Sequence, residues 1–112
     1  MKLAIIILNK IELLEDLLEA FLEIGVSGAT VLDSVGMGHI ISEHIPIFAG
    51  LQDAFAGSSP GNKTILAVVE DEMVDKVAEV VNDICSNINE PGSGLMITVP
   101  VDKIFGYTHG ND

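Results

Sequence analysis

The chain has 112 residues, the size of one domain with a single core, and 48% of them are hydrophobic, too many for a disordered chain. Seventeen acidic residues against five lysines give a formal net charge of -12, and there is no arginine. This balance disfavours nucleic acid and lipid surfaces as partners, because both are bound mainly through clustered positive charge. One cysteine excludes an internal disulfide framework, and no stretch approaches the ~20 apolar residues of a membrane span. We therefore expect a cytoplasmic protein.

The first half of the chain predicts a strand, a helix and a second strand. Residues 3–8, "LAIIIL", form the short apolar run that is typical of a strand in the middle of a sheet. Asn9 and Glu12 have the spacing of a capping box, and Gly25 is a natural helix stop. The apolar arc of this helix spans roughly 200°, which favours a helix that also contacts a second subunit over one that is only deeply packed. Residues 29–36, "ATVLDSVG", alternate as a strand does.

The second half repeats this order. Residues 64–70, "TILAVVE", predict a third strand, and the acidic residues 70–72 suit the N-terminal dipole of a second helix. Cys85 falls on the apolar face of that helix, so we interpret it as a buried structural thiol. The run "LMITVPV" predicts a fourth strand, in which Pro100 indicates an edge position or a strand end.

Strand, helix, strand, followed by the same three elements again, predicts an α+β protein with the ferredoxin-like βαββαβ fold. This fold has a four-stranded antiparallel sheet, and residues 1–112 would form it as a single domain. Both helices would lie on one face of the sheet, and the strands are too apolar for the other face to meet water. Oligomerisation is the simplest cover for that face.

The two halves are joined by a long connection, residues 37–62, which exceeds the ~12–15 residues beyond which a loop is usually functional or disordered. Its first part is too apolar for a freely solvated linker. A short helix over residues 47–56 would align Phe48, Leu51 and Phe55. We expect the connection to dock on its own oligomer or on a partner protein.

Four passages in this order resemble the PII signal-transduction proteins of nitrogen regulation. They are "MKLAIII", "EIGVSGATVLDSVGMG", "VVEDEMVDKVAEVV" and "GSGLMITVPVDKIFGYTHG", and together they extend the resemblance over almost the whole chain. The resemblance implies a homotrimer that binds adenine nucleotides in clefts between subunits. It also implies that the long connection is the T-loop, which contacts target proteins.

Three positively charged residues of that family are missing here. The resemblance places the phosphate-contacting lysine at Leu95 and two arginines at Gly106 and Thr108. Each such contact contributes roughly 1.5–3 kcal/mol, so ordinary ATP affinity is expected to be lost. The connection also contains no tyrosine, so the uridylylation of some family members has no acceptor there.

We predict that a small ligand is contacted at the base of the long connection and at the turn before the fourth strand. The candidate residues are Gly36, Met37, Gly38, Gly92, Ser93, Gly94 and Lys103. The backbone around Ser93 either forms a nest for an anion, with a charge from Lys103 or Lys63, or only makes a tight turn. If the ligand is a triphosphate, we prefer the interpretation that these residues only make a tight turn. For a smaller or less charged ligand, the anion nest and the turn are both open interpretations.

Two other classes of function fit the sequence less well. Metal binding, as in the CutA-type trimers of the same fold, is suggested by His39, His44 and His109, but familiar zinc spacings are absent. Catalysis is weaker, because the carboxylates lie at solvent-side helical positions and the serines of "GSSPGN" have no nearby base. We therefore predict a regulatory protein, not an enzyme, which senses a small ligand of unknown identity and controls a target protein through its loop.

Overall fold

The computed structural model describes residues 1–44, 61–85 and 94–106, with side chains as far as residue 41 in the first range. The strands are β1 (Lys2–Leu8), β2 (Thr30–Ser34), β3 (Asn62–Val69) and β4 (Gly94–Pro100). The helices are α1 (Leu14–Glu23), α2 (Met37–His44) and α3 (Val74–Ile84), and α1 and α3 each follow a short 3₁₀ turn. Helix α2 is the first part of the long connection between β2 and β3.

The four strands form one antiparallel sheet in the order β2-β3-β1-β4. The predicted α+β, ferredoxin-like arrangement is therefore confirmed, with β1 in the centre as its continuous apolar sequence indicated. Pro100 is the last residue of the edge strand β4, where its missing N–H breaks no interior pairing. No helix in the described part of the chain is long and apolar enough to cross a membrane.

The core lies between one face of the sheet and helices α1 and α3. Alternate residues of β1 and β3 are buried there, because successive side chains of a strand point to opposite faces. Each helix adds two fully buried positions one turn apart. The core side chains are Ala4, Ile6, Leu8, Leu17, Phe21, Val26, Ile65, Ala67, Val69, Val77, Val81 and Cys85. Cys85 is thus the buried thiol that was predicted, and burial raises its pKa.

The opposite face of the sheet, which we call the open face, carries apolar side chains on all four strands. Its side chains alternate with the core residues, and several are between 38% and 46% exposed. The apolar members are Leu3, Ile5, Ile7, Leu32, Leu66, Val68, Leu95, Ile97 and Val99. The structure thus contains the apolar sheet face for which the sequence predicted a cover.

The start of α1 differs from the prediction. The position before the first 3₁₀ turn is Lys10, and no side chain caps that turn. The Asn9 side chain instead accepts a hydrogen bond from Asn62. At the other end, Gly25 has a φ of +97°, as expected for the left-handed residue that stops a helix. The predicted helix over residues 47–56 lies outside the described residues.

Candidate functional site

Most of the described candidate residues lie at one end of the sheet. Strands β1 and β2 end there and β3 and β4 begin there, so Leu8 pairs with both Lys63 and Gly94. On the outer side, Ser34 pairs with Asn62. The base of the long connection, residues 36–38, follows directly after β2. The fold therefore brings Gly36, Met37 and Gly38 to the same end of the sheet as Gly94.

A hydrogen-bonded polar cluster occupies the open face at this end. The Ser34 hydroxyl lies 2.8 Å from Thr64 Oγ1 and 3.3 Å from the Asn62 backbone oxygen, and it also contacts the Asn62 side-chain oxygen. Asn62 Nδ2 donates to Asn9 Oδ1 over 3.1 Å. The cluster ties together the ends of β1, β2 and β3. This cluster was not predicted from the sequence, although three of its residues are polar residues near the ends of otherwise apolar, alternating strands.

Gly36 is next to this cluster, at the start of α2. Its carbonyl oxygen accepts a hydrogen bond from the Ile40 N–H over 3.2 Å, which closes the first turn of the helix. A side chain at residue 36 would contact Asn62 Nδ2 at 4.0 Å. Met37 is 75% exposed, so its side chain is accessible from solvent. The loop base thus places backbone groups and one apolar side chain beside the polar cluster.

Gly94 has a structural reason to be glycine. A Cβ atom built on it would lie 2.9 Å from the backbone oxygen of Ile7, and its φ is +155°. Strand β4 can approach β1 this closely only without a side chain. This observation supports the turn interpretation for Gly94. Gly92 and Ser93 lie outside the described residues, so an anion nest there stays a prediction.

The positive charge at this end is smaller than the lysines of the sequence suggest. Lys63 forms an ion pair with Asp33 on the neighbouring strand β2. Lys103 is exposed and follows the far end of β4, because the strand runs from Gly94 to Pro100. Seven strand residues span roughly 20 Å. Within one subunit, therefore, the structure does not bring Lys103 together with the other candidate residues.

Leu95 lies on the open face beside the site. It pairs with Ile7 across β1 and is 46% exposed. This is the position at which the resemblance expects a lysine, and the open face carries an apolar side chain there instead.

A cleft of about 500 Å³ lies at the other end of the β2 edge. Strand β2 begins at Thr30 opposite Leu66, so the last three residues of β3 extend past it. The wall side chains are mainly apolar, with Ser27, Thr30 and Glu70 as polar exceptions. The apolar ones are Leu3, Ile24, Val26, Leu66, Ala67, Val68, Val69 and Met73. This cleft was not predicted from the sequence, because it arises from the unequal lengths of two paired strands.

The described residues offer no support for a metal site. Among them there is no group of three or more histidine, cysteine, aspartate or glutamate side chains that could hold an ion. Helix α2 does place residues 39 and 43 one turn apart. His109 lies outside the described residues. The CutA-like alternative is not supported.

Fold and surface together define a ferredoxin-like domain with an open apolar sheet face and a long connection between its second and third strands. The family model of the nitrogen regulatory protein P-II matches residues 1–108, and the chain belongs to that family. A comparison with curated proteins gave no match. Family membership assigns the protein a regulatory role in signal transduction.

Proposed function

We propose that the protein is a P-II-type regulator, not an enzyme, that works as a homotrimer in the cytoplasm. It senses a small ligand between subunits and transmits the signal through the connection 37–62. The family match supports the regulatory role. The open face supports the oligomer, since a contiguous apolar surface of this kind normally marks an interface.

The observation that carries the ligand proposal is the convergence of Gly36, Met37, Gly38 and Gly94 at one end of the sheet, beside the polar cluster. The Ser34, Thr64 and Asn62 side chains offer neutral donors and acceptors there. Gly92 and Ser93, which lie outside the described residues, and Lys103 stay predicted members of the set. Because Lys63 is already paired with Asp33 and Leu95 replaces a lysine, the site suits a small ligand of low charge better than a triphosphate.

Calorimetric titration with ATP, ADP and AMP tests this proposal. We expect no micromolar binding of ATP and a preference that falls as the number of phosphates rises, because each added phosphate lacks its counter-charge. Micromolar ATP binding by the unaltered protein would contradict the proposed loss of the phosphate contacts. Parallel titrations with zinc and copper ions test the metal-binding class, for which stoichiometric uptake would be the decisive result.

Restoring the missing charge provides a gain-of-function test. Leu95→Lys adds a cation on the open face at the site, and it is expected to raise ATP affinity about tenfold or more. Thr98→Lys is the matched control, because residue 98 pairs with Ala4 and therefore points to the other face of β4. The ligand position is wrong if both variants gain ATP affinity equally or if neither gains any. Sedimentation velocity on each variant verifies that the oligomer is unchanged.

The loop proposal is tested by deletion. We propose that the connection contacts a target protein, with the exposed Met37 and Ile40 of α2 at the edge of the contact. A chain in which residues 45–60 are replaced by a short glycine-serine linker should keep its oligomeric state. It should lose one stoichiometric partner that copurifies with the unaltered protein. Retention of that partner by the shortened chain would contradict the loop's role.

A further inference from the structure

Helix α1 carries a row of leucines that continues beyond the core. Leu14, Leu18 and Leu22 are four residues apart, so they lie along one side of the helix. Leu14 and Leu18 pack partly against the core, whereas Leu22 is 63% exposed. We call this row the leucine stripe. It is one flank of the wide apolar arc that the sequence predicted for this helix, and the sheet does not cover its outer end.

A hollow of about 190 Å³ adjoins the exposed end of the stripe. Leu18, Phe21 and Leu22 form its helical wall, and three residues of the connection 26–29 form the rest. Among the described residues, none from α3 or from the sheet lines it, so the hollow lies beside that connection and not between the two helices. A concave space beside an exposed leucine is suited to receive an apolar side chain of another molecule.

Acidic side chains border the stripe. Glu15 lies three residues before Leu18, which makes the two neighbours on the helix surface. Glu19 has the same relation to Leu22. Residues 11–24 contain no lysine, and all their acidic side chains are exposed: Glu12, Glu15, Asp16, Glu19 and Glu23. The stripe is therefore an apolar surface with a negatively charged margin.

This charge determines which occupant fits the stripe. A second copy of the stripe would bring its own acids against these, and like charges across an interface oppose association. The chain has only five lysines, spread from residue 2 to residue 103, so no segment of it is basic. Lys2 and Lys63 are also paired with aspartates already. The complementary surface therefore belongs to a different protein, one with positive charge beside apolar side chains.

We propose that the leucine stripe is a docking surface for a basic amphipathic helix of another protein. An apolar side chain of that helix occupies the hollow, and its lysines or arginines face Glu15 and Glu19. A helix suits the stripe because its apolar anchors recur every three or four residues, which matches the spacing of the leucines. Helix α1 lies on the other side of the sheet from the open face, so association through the open face leaves the stripe accessible. The inference depends neither on the proposed trimer nor on the proposed ligand.

Peptide binding tests this surface. The probe is a synthetic, fluorescently labelled peptide of about 18 residues in which leucine and lysine follow the helical period. A scrambled peptide of the same composition is the control for attraction by net charge alone. At about 0.15 M salt, fluorescence anisotropy should show at least about tenfold tighter binding of the amphipathic peptide. Equal binding of the two peptides, or binding of neither, would overturn the proposal.

Variants of the protein locate the contact. Leu22→Ser removes an exposed leucine and should weaken binding of the amphipathic peptide about tenfold, with circular dichroism to verify the fold. Glu19→Gln should weaken it about two- to fivefold. Glu79→Gln removes the same charge from an exposed position of α3 and should leave binding unchanged. The peptide docks elsewhere, and the proposal is wrong, if Leu22→Ser has no effect or if Glu79→Gln weakens binding as much as Glu19→Gln.

Two further measurements separate this inference from the proposed function. Sedimentation velocity should give Leu22→Ser the same oligomeric state as the unaltered protein, and the chain shortened at residues 45–60 should still bind the peptide. If Leu22→Ser dissociates the oligomer, the stripe is a subunit interface, which refutes the docking surface but not the trimer. If the shortened chain loses the peptide, the long connection is the docking surface and the stripe is not. A monomeric protein that binds the amphipathic peptide through Leu22 would refute the trimer alone and support the stripe.

Discussion

At the scale of single residues, Gly94 is the position where the backbone tolerates a side chain least. The Cβ atom of Gly94→Ala would lie 2.9 Å from the Ile7 backbone oxygen, and neither atom can be moved aside by a side-chain rotation. We expect this variant to lower the free energy of unfolding by about 1–3 kcal/mol, measured by urea denaturation. Gly28→Ala is the control, because its Cβ would meet nothing within 4 Å. Equal stability of the two variants would contradict the close approach of β4 to β1.

Asp71 gives a prediction about pH. Its carboxylate lies 3.0 Å from the Met1 ammonium and 3.3 Å from Lys2 Nζ. The hydrogen bond from the ammonium, followed by that from Lys2, lowers the pKa of Asp71 below its ordinary value of 3.8. A lowered pKa stabilises the folded state above the unfolded-state pKa, and this contribution is lost as the pH falls through the folded-state pKa.

Thermal denaturation of the untagged protein and of Asp71→Asn tests this sign. The Tm of the unaltered protein should be higher near pH 6, and the difference should shrink at an acid pH where Asp71 becomes protonated in the folded state as well. Asp75→Asn, at another exposed aspartate, is the control for the loss of one negative charge. A Tm difference that is the same at both pH values would rule out the ion pairs as its cause.

The sequence did not predict which side chains pair with each other at the candidate site. The sequence makes Lys63 a candidate charge for a ligand, yet β2–β3 pairing places Asp33 directly opposite it and the two side chains form an ion pair. Asn9 has the spacing of a helix cap but bonds to Asn62, which is distant in sequence. Both results depend on strand register, and one sequence contains no direct signal for the register between distant strands.

At the scale of elements, the packing of α1 and α3 on the sheet gives a prediction from two adjacent residues of one helix. Phe21 is 1% exposed in the core and Leu22 is 63% exposed. Phe21→Ala is expected to lower the free energy of unfolding by about 3–5 kcal/mol, through lost burial and the cavity that remains. Leu22→Ala should change it by less than about 0.5 kcal/mol. Chemical denaturation at one protein concentration measures both, and similar losses would contradict the assigned face of α1.

The elements themselves were largely predictable because their periodicities differ. The continuous apolar run at residues 3–8 became the central strand, and the acidic residues 70–72 lie at the start of the segment that becomes α3. Gly25 stops α1 through its positive φ, as its position indicated. The helical start of the long connection, Met37–His44, was not predicted. Its glycine and short apolar pattern give a weak signal in a helix of only eight residues.

At the scale of the whole molecule, the sequence predicted that a surface needed cover but did not predict its shape. The apolar strands indicated that the face opposite the helices could not meet water, and the open face matches that expectation. The cleft at the β2 edge, in contrast, depends on where β2 begins relative to the end of β3. A shift of one or two residues in the boundary of a strand decides whether such a cleft forms. These boundaries are the least certain part of any pattern-based prediction.

The open face gives the prediction on which the oligomer depends. Ile97 lies on it in the edge strand and is 43% exposed in the single chain, so an aspartate there is compatible with the folded subunit. In a trimer closed by this face, however, Ile97→Asp would bury an unpaired carboxylate, which costs several kcal/mol per subunit. We therefore expect Ile97→Asp to sediment as a folded monomer at concentrations where the unaltered protein is a trimer. Thr98→Asp adds the same charge one residue further along, where the side chain points to the opposite face, and it should stay a trimer.

If both variants dissociate alike, net charge is responsible and the open face is not the interface. If neither dissociates, the subunits associate through another surface.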